Sequence, residues 1–65
     1  MTSDLYRRLV AILKDSGCYF VRQGKGSHEI WFSPASNRAF SVPANIKPVQ
    51  LANAILKAAG LTSRL

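Results

Sequence analysis

The segment Arg22-Gln23-Gly24-Lys25-Gly26-Ser27-His28 gathers the only histidine of the chain, two cations, a hydroxyl and two glycines into one short stretch. Each of these residue types has a use on a phosphodiester. Glycines let the backbone come close to a phosphate and aim N–H groups at its oxygens. Arg22 and Lys25 can neutralise the phosphate charge. An imidazole titrates near neutral pH and can move a proton. The stretch therefore reads as a candidate phosphodiester site. His28 is its catalytic candidate, Arg22 and Lys25 are its phosphate contacts, and Gly26 and Ser27 position the backbone. Taken alone, the same pattern also describes a surface histidine after a tight connection. It is not a nucleotide-binding phosphate loop, because the required spacing and the Lys-Ser/Thr pair are missing.

The rest of the composition is consistent with a nucleic-acid partner. The chain has 65 residues, 48% of them hydrophobic, and carries nine Lys and Arg against three Asp and Glu, for a net charge of +6. That length implies one domain spanning residues 1–65, near the lower limit for folding without help. A small basic domain usually meets a polyanion or an acidic protein surface. The cations are spread along the sequence with no long run, which points to a folded basic surface and not a disordered tail. No apolar run is long enough to span a bilayer. The start, Met1-Thr2-Ser3-Asp4, lacks a basic region followed by an apolar block, so no secretory leader is expected. A single cysteine, Cys18, permits no internal disulfide, and one cysteine with one histidine cannot form a zinc finger. A reducing, cytoplasmic setting fits.

Five elements must position the candidate site. Leu5, Leu9, Ile12 and Leu13 fall on one helical face and predict a helix from about Ser3 to Ser16. Thr2 or Ser3 can cap it, and Gly17 can end it. Tyr19, Phe20 and Val21 predict a strand from about Cys18 to Gln23. His28 to Phe32 and Arg38 to Val42 flank Ser33-Pro34-Ala35-Ser36-Asn37, a run of turn formers, and so read as a hairpin. A second helix is predicted from about Pro48 to Ala59. Val49, Ala52, Leu56 and Ala59 form its apolar face with Ile55 beside it, and Gly60 is its stop. The order α-β-β-β-α implies an α+β fold: a three-stranded antiparallel sheet with both helices on one face.

Strand alternation divides the first hairpin strand into His28, Ile30, Phe32 and Glu29, Trp31, Ser33. The polar members suggest that Glu29 and Trp31 face outward, which places His28 at the rim of the helix-covered face. The opposite parity, with Trp31 in the core, is the alternative. Phe20, Phe32 and Phe40 are expected in the core, Tyr19 in packing, and Cys18 as a small half-buried hydrophobe and not a nucleophile. Arg7, Arg8 and Lys14 are most simply a solvated helix face.

Gly17-Cys18-Tyr19-Phe20-Val21-Arg22-Gln23 followed by Lys25-Gly26-Ser27-His28 resembles the HicA toxins of toxin–antitoxin systems, whose hallmark is an arginine-bearing strand followed by Gly-Ser-His. Ala54-Ile55-Leu56-Lys57-Ala58-Ala59-Gly60-Leu61 is similar to the closing helix of that family, and Val42-Pro43 to its third-strand exit. The similarity runs from about Leu5 to Leu61. It implies a fold like that of double-stranded-RNA-binding domains, and mRNA cleavage that depends on the motif histidine, here His28. It also implies neutralisation by a HicB-type antitoxin. Gly24 is an additional residue in the turn relative to the family pattern, and Ala44-Asn45-Ile46-Lys47 is less basic than the family's equivalent. Under the outward parity, Glu29 and Trp31 become candidate antitoxin contacts, with base stacking as the other use of Trp31.

The mechanism expected from these residues is RNA strand cleavage with no metal or other cofactor. His28 serves as general base on a ribose 2′-OH or as general acid on the 5′-oxygen leaving group, and Arg22 and Lys25 stabilise the crowded phosphate. The three acidic residues are too dispersed to suggest a metal site. A non-catalytic RNA-binding module on the same fold is the alternative, and a pure protein-interaction domain is a third. Against the binding module, Lys47 is the only cation at the start of the last helix.

Overall fold

A computed structural model describes residues 2–65; Met1, at the head of the segment where no leader is expected, lies outside them. The order is α1 (Asp4–Asp15), β1 (Tyr19–Gln23), β2 (His28–Ser33), β3 (Arg38–Pro43) and α2 (Val49–Ala58). The strands form one antiparallel sheet in the order β1-β2-β3. This is the α-β-β-β-α architecture read from the sequence, of the double-stranded-RNA-binding-domain type.

The helices form where the apolar periodicity places them. Ser3 is the N-cap of α1, with its hydroxyl accepting from the Tyr6 amide at 3.1 Å. α2 begins after Pro48, its N-cap residue, and no side chain caps it. Leu9, Val10 and Leu13 of α1 meet Ala52, Ile55 and Leu56 of α2 in a single core with Trp31, Val42 and Ile46. Val49 departs from expectation: it is 45% exposed, because the buried stripe of α2 runs through Ala52, Ile55 and Leu56. Ile46, just before the helix, is buried in its stead.

Two hydrogen bonds show that both helices lie on the same side of the sheet. The Tyr6 hydroxyl of α1 donates to Glu29, and the Ser33 hydroxyl of β2 donates to the Ala59 carbonyl at the end of α2. Glu29 and Ser33 belong to the same strand face. Trp31 lies between them and is 2% exposed. The outward parity expected for Glu29 and Trp31 is therefore reversed, and the alternative parity is the one adopted. A large indole gains more from burial than a histidine does. Its N–H is satisfied locally by the Glu29 carboxylate at 3.0 Å.

Two of the three phenylalanines also depart from expectation. Phe40 packs against the core, opposite Trp31. Phe32 follows His28 and Ile30 onto the other face of the sheet, and Phe20 is 48% exposed on β1. All five residues of β1 are exposed. It is an edge strand beyond the cover of two short helices. Cys18, by contrast, is more deeply buried than expected, at 4% exposure.

Candidate functional site

His28 opens β2, and three backbone or amide contacts fix it. Its N–H donates to the Lys25 carbonyl at 3.1 Å, and its carbonyl accepts from the Gly24 N–H at 2.8 Å. The Gln23 side-chain amide donates to that same carbonyl at 2.9 Å and to the Gly26 carbonyl at 3.0 Å. The turn is thus stitched across its own base. A Cβ at Gly24 would sit 3.0 Å from the His28 carbonyl oxygen and 3.3 Å from Ile30 Cδ1, so a larger residue there would have to push the turn or Ile30 aside by a few tenths of an ångström. Gly26 has φ +61°, a backbone conformation that other residues adopt only under strain.

The turn is also anchored to the rest of the molecule. The Ser27 carbonyl accepts from the Ala44 N–H at 2.9 Å, and the Ser27 hydroxyl bonds Asn45 Oδ1 at 3.2 Å. Ser3, the cap of α1, reaches the same loop through its N–H to the Ala44 carbonyl and its hydroxyl to the Ile46 carbonyl. The β1–β2 turn, the loop after β3 and the start of α1 therefore meet at one end of the sheet. Ser27 braces the turn against that loop.

The imidazole itself is exposed on the sheet face that no helix covers. It does not lie at the rim of the helix-covered face, as the outward parity for Trp31 had required. Its Nδ1 lies 3.1 Å from the Ser41 hydroxyl on β3. When Nδ1 carries the proton it donates to Ser41, and the Nε2 lone pair is then free to accept a proton from a substrate. When Ser41 donates instead, Nε2 carries the proton and can give it up. Either arrangement holds the ring by its inner nitrogen and presents the outer one.

Arg22 reaches this face because of an irregularity in β1. Tyr19 pairs with Phe32 and Phe20 with Trp31, but Arg22, not Val21, is then registered with Ile30. Strict alternation would have put Arg22 on the helix side with Phe20. The bulge at Val21 returns it to the side of Ile30 and His28, a re-aiming for which bulges are commonly used. Lys25 is exposed in the turn. Sequence reasoning thus placed Arg22, Lys25, Gly26, Ser27 and His28 together by contiguity, and the bulge is what turns Arg22 to the side of His28.

Glu29 and Trp31 are not part of this face. One Glu29 oxygen accepts from the Tyr6 hydroxyl at 2.6 Å and from the Trp31 indole at 3.0 Å. Burial of Tyr6 is the main reason its hydroxyl pKa is pushed up to about 12, with the hydrogen bond and the charge of Glu29 adding to it. The proposed antitoxin contact through Trp31 loses its basis, since the side chain is enclosed in the core. Three contributors were missed from sequence: Ser41, Gln23 and Asn45. Ser41 was recoverable, because once the hairpin turn is centred, antiparallel register carries Ser41 to a position diagonal to His28.

No three His, Cys, Asp or Glu side chains converge on a possible metal position among the described residues. No helix of the described residues is long and apolar enough to cross a membrane.

An exposed histidine at the start of the middle strand, after a glycine-bearing turn and beside an arginine-bearing strand, is the arrangement that the sequence motif implied. The family model described as HicA toxin of bacterial toxin–antitoxin matches residues 6–61, which includes every element except the first residues of α1. The chain belongs to the HicA toxin family. No curated protein and no solved structure gives a significant match.

Proposed function

We propose that this member of the HicA toxin family is an endoribonuclease that cleaves mRNA through His28 and is neutralised by a HicB-type antitoxin. The observation that carries the reading is the placement of His28. Its backbone is held by Gly24, Gln23 and Lys25, its Nδ1 is engaged by Ser41, and its ring is exposed on a face that also carries Arg22. Family membership supports the toxin–antitoxin setting.

In this mechanism, His28 Nε2 takes the proton of a ribose 2′-OH as that oxygen attacks the adjacent phosphorus. The 5′-oxygen leaves as the P–O bond breaks, taking a proton from water or from the imidazolium. Proton transfer of this kind contributes typically about 10²- to 10⁴-fold in rate. Arg22 and Lys25 face the charge that builds on the non-bridging oxygens. Nothing in this scheme calls on a metal: Glu29 is committed to Tyr6 and Trp31, and Asp4 and Asp15 lie on α1. The single-domain span 1–65, with the toxin activity residing wholly in it, is part of the same proposal.

The test is incubation of the purified chain with a long single-stranded mRNA in the presence of a chelator, beside His28→Ala. The reading requires cleavage by the native chain with 2′,3′-cyclic phosphate ends, and none by the variant. A gel shift without cleavage by either protein would assign the chain to RNA binding alone. Equal cleavage by both would remove His28 from the mechanism.

A further inference from the structure

The open face of the sheet carries more than the histidine. Tyr19 and Phe32 are register partners on β1 and β2, with ring centroids 5.7 Å apart and planes inclined by 41°. Tyr19 is 52% exposed and Phe32 is half-buried. Phe32 shares its strand face with His28, and the four steps along the strand from one to the other correspond to roughly 13 Å. An aromatic pair left in water at one end of a sheet face, with His28 and Arg22 at the other, is not explained by packing. The core lies wholly on the opposite side.

Charge indicates what would cover it. Arg22 and His28 belong to this face, and Lys25 stands in the turn beside it. None of the three acidic side chains does: Glu29 turns toward the helices, and Asp4 and Asp15 belong to α1. The complementary ligand is an anion that also offers flat apolar surfaces. Unpaired RNA bases stack on exposed aromatic rings, while their phosphates pair with cations. A base-paired duplex keeps its base faces stacked on one another and has nothing to offer the rings.

We infer that the Tyr19–Phe32 pair is a base-stacking subsite for single-stranded RNA, which holds an unpaired base while the neighbouring phosphodiester reaches His28. The inference rests on the ribonuclease reading for its substrate class, but it concerns binding and not cleavage. It makes the substrate single-stranded at the cut site. It also makes Tyr19 a positioning residue with no proton to transfer.

The experiment measures binding by fluorescence anisotropy with a labelled 2′-O-methyl oligonucleotide, which lacks the attacking hydroxyl and stays intact. A second oligonucleotide of equal length and charge carries abasic sugars. Native chain, Tyr19→Leu and Tyr19→Phe are compared after each has been shown to melt like native. Tyr19→Leu is expected to weaken binding of the intact oligonucleotide by about 5- to 100-fold. It should leave abasic binding unchanged, and Tyr19→Phe should stay within about twofold of native. Equal binding by native and Tyr19→Leu would overturn the subsite. So would an equal loss on both oligonucleotides, or a loss of antitoxin binding with RNA binding intact, which would assign the face to a protein partner. Because the probe cannot be cut, stacking can be present in a chain that fails to cleave mRNA, and the two readings fail separately.

Discussion

On β2, Glu29, Trp31 and Ser33 look into the helices, while His28, Ile30 and Phe32 look away from them. The first set is tied to distant residues: Glu29 to Tyr6, Ser33 to the Ala59 carbonyl, and Trp31 to the core. The second set is tied only to neighbouring strands, His28 to Ser41 and Phe32 to Tyr19. One strand thus serves two purposes, and alternation keeps them apart. The lesson is that polarity does not mark the solvent side here. A carboxylate and a hydroxyl lie inward because α1 and α2 bring them partners. A phenylalanine lies outward because nothing covers it.

The contrast can be broken most severely at Trp31. Trp31→Ala should destabilise the fold by about 3–5 kcal/mol, enough to leave a domain this small largely unfolded, as a urea melt would show. A near-native melt would mean that the indole is not the keystone of the helix-side face. Ser33→Ala comes next. It leaves the Ala59 carbonyl without its partner at a buried position, and about 1–3 kcal/mol should be lost in the same melt, with the cleavage rate per folded molecule unchanged. On the open face, Ser41→Ala should leave the melt as it is. It should slow cleavage by about two- to tenfold with a shifted pH–rate profile, since one hydrogen bond of about 1 kcal/mol orients the imidazole. A lower rate with an unmoved profile would deny Ser41 that role.

The smallest effect is a pH dependence. The folded chain keeps the Tyr6 proton up to about 12, whereas the ordinary value is 10.0. The unfolded chain therefore releases this proton first as the pH rises. The stability that Tyr6 contributes by keeping its proton in a partly buried site beside Glu29 is fully present below pH 10 and is lost as pH climbs toward about 12. Tyr6→Phe should show a shallower loss of stability across that window in urea melts at stepped pH. Identical slopes would mean that the contact adds nothing to alkaline stability.

The helices and the hairpin were legible because their signals are local: apolar spacing in Leu5, Leu9 and Leu13, and turn formers at 33–37. The parity of β2 was not, because each face offers both aromatic and polar residues, and what decides between them is a tyrosine and a carbonyl far away in sequence. The bulge at Val21 was equally hidden. Nothing in Phe20-Val21-Arg22 announces an extra residue, yet it alone turns Arg22 toward the histidine. Of the candidate site, the contiguous turn was legible. Ser41 and Asn45 were not, because register and loop closure bring them to the turn from 13 and 18 residues away.

The central claim is that β2 keeps chemistry on one face and stability on the other. The most direct test is a paired measurement on His28→Ala and Trp31→Phe, with mRNA cleavage rate and thermal melting taken from the same samples. The account predicts that His28→Ala melts within a degree or two of native and loses cleavage. Trp31→Phe should melt lower yet cleave at the native rate while folded. Retained cleavage in His28→Ala, or a melting loss that accompanies its inactivity, would contradict it.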